Sequence, residues 1–89
     1  MDDRFKKFAG ETKTFEKNGF KLTLSPFKGK DLDLFLTVES KEDSIYKLVQ
    51  KALEMNGDEV PSMKEIREDV PLSFILWVQE CIDEVNNPK

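Results

Sequence analysis

One thiol and eighteen carboxylates are the side chains through which this 89-residue chain could do chemistry, and it contains no histidine. Cys81 as a nucleophile would need a neighbouring base to take its proton. Histidine is the usual choice, because it alone titrates unperturbed between pH 5 and 8. Without it, Cys81 reads as a small buried hydrophobe. The carboxylates gather at Asp31/Asp33, Glu42/Asp43, Asp58/Glu59, Glu65/Glu68/Asp69 and Asp83/Glu84. Paired carboxylates can serve a glycosidase or a magnesium site. Here most of them fall in the first turns of expected helices or on exposed faces, where negative charge complements the helix dipole. Asp83 and Glu84, near a helix end, read as solvated. The run Glu54 to Glu59 sets Gly57 among acids but lacks the alternating ligands of a calcium loop. These residues argue against an enzyme, and no metal or cofactor is expected.

What the chain does offer is apolar helix surface. At 100° per residue, Trp77, Cys81, Phe74, Val85, Val78, Ile82 and Ile75 span an arc of about 160° on a closing helix. Leu72 and Leu76 lie outside that arc, on a side shared with Gln79 and Asp83. The first two turns are therefore apolar nearly all round. One reading packs one side on the preceding long helix and covers the other with the N-terminal hairpin. The other leaves part of this surface for a protein partner or a second copy of the chain, with Leu72, Leu76 and Trp77 as candidate partner-binding residues and Phe74 assigned to the core.

Those side chains must be positioned by a small fold. The segment Lys13–Lys17, then Asn18-Gly19, then Phe20–Leu24 reads as a β-hairpin, since a two-residue type I′ turn needs positive φ at both central residues. That register sets Phe15 opposite Leu22, Glu16 opposite Lys21 and Thr14 opposite Thr23. Residues 31–38 carry two periods at once. Leu32, Leu34, Leu36 and Val38 alternate as in a strand, while Leu32, Phe35 and Leu36 fit a helix face. Asp31 as N-cap and Asp33 in the first turn favour the helix. Ser40-Lys41-Glu42-Asp43 resembles a capping box, and opens an amphipathic helix with Ile45, Leu48, Val49, Ala52, Leu53 and Met55 on one face and Gly57 at its end. Ser62-Met63-Lys64-Glu65 is a second capping box, opening a short helix to about Glu68. Asp69 is expected to cap the last helix, with Val70-Pro71 in its first turn and an end near Asn86.

The fold class expected is α+β: a single small domain over residues 12–87, with an N-terminal β-hairpin packed on three to four α-helices. Residues 1–11 read as a flexible N-terminal arm, or one helical turn bearing Phe5 and Phe8. The expected core is Phe15, Leu22, Leu24, Leu32, Phe35, Leu36, Ile45, Leu48, Val49, Leu53, Phe74, Ile75, Val78 and Ile82.

Charge narrows the partner. Residues 1–30 hold eight Lys/Arg against four Asp/Glu, and residues 31–89 hold six against fourteen, for an overall net charge of −4. The basic first third interleaves lysines with Phe5, Phe8, Phe15, Phe20 and Phe27, as a single-strand nucleic-acid surface would. The acidic whole, with a pI near 4.8 and one arginine in that third, speaks against nucleic acid. The asymmetry suits docking onto an acidic protein or head-to-tail association into a homo-oligomer. No stretch reaches the roughly 18 apolar residues of a membrane span, and Met1-Asp2-Asp3-Arg4 is too acidic for a signal peptide. One cysteine cannot close an internal disulfide. A reducing cytoplasm is the expected location.

The order of three stretches is similar to the tail assembly chaperones of tailed viruses. They are the hairpin Thr14 to Pro26, which reads T-F-x-x-N-G-x-x-L-T-L-x-P, the Gly29-Lys30-Asp31-Leu32 start of a helix, and the closing helix from Asp69 through Pro71 to Ile82-Asp83-Glu84-Val85-Asn86. The resemblance implies a small acidic holdase of the host cytoplasm that coats a tape-measure protein, recruits tail-tube subunits, and is absent from the finished particle. In many relatives a ribosomal frameshift appends a second domain, and an end at Asn86-Asn87-Pro88-Lys89 would suit the short product. The family's contacts follow no fixed motif, so the resemblance assigns no binding residue. The rival reading is a small regulatory inhibitor or adaptor that presents acidic helices to a protein complex.

Overall fold

A computed structural model describes residues 3–6, 10–36 and 40–87. The elements are α1 (Asp3–Lys6), β1 (Lys13–Lys17), β2 (Phe20–Leu24), a 3-10 turn (Gly29–Leu32), α2 (Asp33–Leu36), α3 (Lys41–Met55), α4 (Met63–Asp69) and α5 (Leu72–Asn86). This is an α+β domain in which one hairpin is followed by three substantial helices.

The hairpin closes as its turn chemistry requires. Asn18 and Gly19 hold φ of 53° and 82°, the left-handed conformation that asparagine and glycine tolerate. The register pairs Phe15 with Leu22, Glu16 with Lys21 and Thr14 with Thr23. The two threonine hydroxyls meet at 2.9 Å. Strand alternation sends Leu22 and Leu24 inward, both essentially sealed, so β2 lies on α3 and α5. Thr23 and Lys21, whose backbone groups point away from β1, are taken up by one side chain. The Thr23 N–H donates to Asn56 Oδ1 at 2.8 Å, and Asn56 Nδ2 donates to the Lys21 carbonyl at 2.9 Å. That asparagine also caps α3, ahead of Gly57 at φ 81°. The Asp58 N–H returns to the Leu53 carbonyl and the Gly57 N–H to that of Glu54, the paired bonds of a Schellman end.

Ser40 and Ser62 cap α3 and α4 as their spacing predicts, accepting the N–H of Asp43 and Glu65 at 3.1 Å each. The core joins Leu22 and Leu24 of β2 to Tyr46, Val49, Ala52 and Leu53 of α3, Ile66 of α4, and Ile75, Val78, Cys81, Ile82 and Val85 of α5. Phe15, Ile45, Leu48 and Phe74 pack against it half-buried.

Four expectations are corrected. Leu32 and Leu36, placed in the core, are 55% and 69% exposed. The continuous helix expected over 31–38 breaks into the 3-10 turn and the four-residue α2, and this change of pitch turns Asp31 inward in place of the leucines. Asp31 is no N-cap either. Its carboxylate reaches back to the Lys28 N–H at 2.8 Å and pairs with Lys51 of α3 at 3.3 Å. Finally, Asp69 is the last residue of α4, and Pro71 stands at the N-cap of α5 with no side-chain cap. The expectations for Thr37 and Val38, and those for the side chains of Phe5, Phe8 and Phe35, lie outside the described residues.

Candidate functional site

The three candidate residues share α5 but not a surface. Leu72 and Leu76 lie one turn apart and face outward, 69% and 53% exposed. Trp77, about 100° further round the helix than Leu76, turns toward the hairpin. Its ring meets Phe20 edge-on at 6.2 Å and Phe74 at 6.0 Å, and Phe20 meets Phe74 edge-on at 5.6 Å. Such geometries place the positive ring edge over a neighbour's negative face. Trp77 thus helps join α5 to the turn end of the hairpin, beside Lys17, Asn18 and Pro71.

Leu72 and Leu76 instead form one wall of a groove of about 260 Å³ between the start of α3, the end of α4 and the first half of α5. Ile45, Tyr46, Val70 and Ile75 complete its apolar lining, with Glu42, Arg67 and Gln79 as polar members. The polar members are partly tied together. The Tyr46 hydroxyl donates to the Glu42 carboxylate at 3.0 Å, one turn back on α3. The Arg67 guanidinium lies 5.8 Å from the centre of the Tyr46 ring, within cation–π range. Gln79 differs. Its Nε2 is buried and has no hydrogen-bond partner.

Leu72, Leu76 and Gln79 were legible as one side of the helix. Tyr46 and Arg67 were not, because they reach the groove from other elements. The one clue was the spacing of Glu42 and Tyr46, four apart, which lets a phenol on a helix meet a carboxylate one turn earlier.

Cys81 is buried, and burial, with Glu84 and Glu80 adding to it, pushes its thiol up to about 11. At neutral pH it stays protonated and so is a poor nucleophile. Asp31 is held below the ordinary carboxylate range, first by the Lys28 N–H it accepts, against burial, and then by Lys51 and Lys30. It joins the 3-10 turn to α3, a structural role. Among the described residues no group of three or more acidic or cysteine side chains is placed to hold a metal ion, and no helix is long and apolar enough to cross a membrane. In comparisons with known proteins, the chain matches no family model, no curated protein and no solved structure.

Proposed function

We propose that this protein is a non-enzymatic protein–protein interaction module, most concretely a tail assembly chaperone of a tailed virus, acting in the host cytoplasm. It would shield apolar segments of a tape-measure or tail-tube protein while its acidic surface keeps the complex soluble. The observation that carries this reading is the exposure of Leu72 and Leu76, side by side on a helix whose opposite side is sealed. Two large apolar side chains on one wall of a groove with charged residues at its edge are what a docking surface presents. The residue order of the hairpin and closing helix supports the more specific assignment.

The test is co-expression with the tape-measure and tail-tube proteins encoded in the same genome. A soluble, co-purifying complex is expected, lost when Leu72 and Leu76 are both changed to serine. If neither protein is bound nor rendered more soluble, the chaperone assignment fails. A second reading rests on the carboxylates of α4 and α5: an inhibitor or adaptor that presents them to a basic protein surface. Recovery of a nuclease or nucleic-acid-binding complex from host lysate, in place of a tail protein, would favour it.

A further inference from the structure

Two asparagines of this chain, Asn18 and Asn56, precede a glycine, and the fold treats the two pairs in opposite ways. In an Asn-Gly pair the side-chain amide is open to attack by the following backbone nitrogen, because glycine puts no side chain in the way. Locally the pairs are alike. Gly19 and Gly57 hold φ of 82° and 81°, and beyond their chain neighbours neither has an atom within 4 Å of where a Cβ would stand. What differs is what holds the asparagine. Asn56 Oδ1 accepts the Thr23 N–H at 2.8 Å, and its Nδ2 donates to the Lys21 carbonyl at 2.9 Å and to Asp58 Oδ2 at 2.6 Å. The nitrogen that would attack it is engaged too, since the Gly57 N–H donates to the Glu54 carbonyl at 3.1 Å. Asn18 stands at the exposed tip of the hairpin, and its side chain makes no hydrogen bond among the described residues. The bonds that close a two-residue turn join its flanking residues, here Lys17 and Phe20, and leave the Gly19 N–H outside them.

We infer that Asn18 is a site of spontaneous deamidation in the folded protein, and that the bonds tying Asn56 to the hairpin protect it from the same reaction. A base in solvent takes the Gly19 amide proton as that nitrogen bonds to Asn18 Cγ. The Cγ–Nδ2 bond breaks, and the side-chain nitrogen leaves as ammonia with a proton supplied by water. Water then opens the cyclic imide at one of its two carbonyls. Cleavage of the new N–Cγ bond gives aspartate, and cleavage of the original N–C bond gives isoaspartate, in which the chain runs through Cγ. The left-handed backbone of Asn18 keeps Cγ and the Gly19 nitrogen apart, so the reaction goes through a transient opening of the turn. Opening the tip disturbs few contacts, whereas freeing Asn56 breaks three side-chain bonds and the end of α3. The two products differ in consequence. Aspartate tolerates the left-handed position and leaves the turn as it is. Isoaspartate adds a carbon to a turn whose length fixes the register, beside Phe20 and its contact with Trp77.

The test incubates full-length protein in mildly alkaline buffer, with and without enough urea to unfold it, and follows both sites by peptide mass spectrometry. In the folded protein Asn18 is expected to convert at least about ten-fold faster than Asn56. In urea the two rates are expected to converge, since both pairs then lie in an open chain. Equal rates in the folded protein, or faster conversion at Asn56, would overturn the inference. A difference of the same size in urea would overturn it too, by assigning the selectivity to neighbours in sequence and not to the fold. So would an Asn18 that stays intact when folded over a period in which the unfolded chain converts. Trp77 emission separates the products. It is expected to shift in the purified isoaspartyl form and to stay unchanged in Asn18→Asp, and an unshifted isoaspartyl form would overturn the effect on the hairpin.

Discussion

The two ends of α5 differ in how completely the chain finishes them. Toward the C-terminus Cys81, Ile82 and Val85 are buried. Asn86 accepts the Phe27 N–H at 2.6 Å while its own amide donates to the Ile82 carbonyl at 2.9 Å. Gly10 lies so close that a Cβ there would fall on the Val85 carbonyl, a contact open only to glycine. Toward the N-terminus Ile75 and Val78 are buried too, but the helix starts on Pro71 with no side-chain cap, Leu72 and Leu76 face outward, and the Gln79 amide nitrogen has no hydrogen-bond partner. One helix therefore serves two purposes. Its second half holds the connector, while its first half holds the hairpin through Phe74 and Trp77 on one side and leaves Leu72 and Leu76 outward on the other.

The largest expected effect falls on the finished end. Ile82→Ala should cost about 2–5 kcal/mol in urea unfolding, a large share of the roughly 5–10 kcal/mol available to a domain of this size. A loss under about 0.5 kcal/mol would mean that this end is no better packed than the other. Asn86→Ala comes next, at about 1–3 kcal/mol, since the Phe27 N–H would lose its acceptor. Amide exchange at Phe27 should quicken in that variant more than exchange at Thr23, whose acceptor is Asn56. Equal quickening would show that the two asparagines do not act separately.

Asp31 sharpens the comparison through pH. Its folded pKa is depressed, so its contribution is present above the ordinary carboxylate pKa and is lost as pH falls through the folded value. Asp31→Asn should therefore cost about 1–2 kcal/mol at pH 7, and the gap from the native protein should close below about pH 4. A gap that stays constant down to pH 2 would refute the pairing with Lys51.

The sequence allowed the hairpin to be read residue by residue, because Asn18-Gly19 dictates the turn and the turn dictates the register. The amphipathic run and serine caps of α3 were equally plain, since both follow from local spacing. What escaped was set by distant partners. Asp31 turns inward onto the Lys28 N–H and onto Lys51, the latter twenty positions away, while Leu32 is exposed. Tyr46 enters the core with its hydroxyl on Glu42 and its ring under Arg67. Asn56 and Asn86 look like ordinary helix-end residues until the hairpin and its connector arrive to bond them. For the candidate site, one face of α5 was legible from helical geometry. Its division into a Leu72/Leu76 groove and a Trp77 corner was not, because Phe20 holds Trp77 from across the fold.

The most direct measurement of the claim that the first half of α5 is kept for a partner is the urea midpoint of the Leu72→Ser, Leu76→Ser double variant. A midpoint shift equivalent to no more than about 0.5 kcal/mol of unfolding free energy is expected, as for exposed substitutions. A fall approaching that of Ile82→Ala would show that the two leucines hold the fold together, and would contradict it.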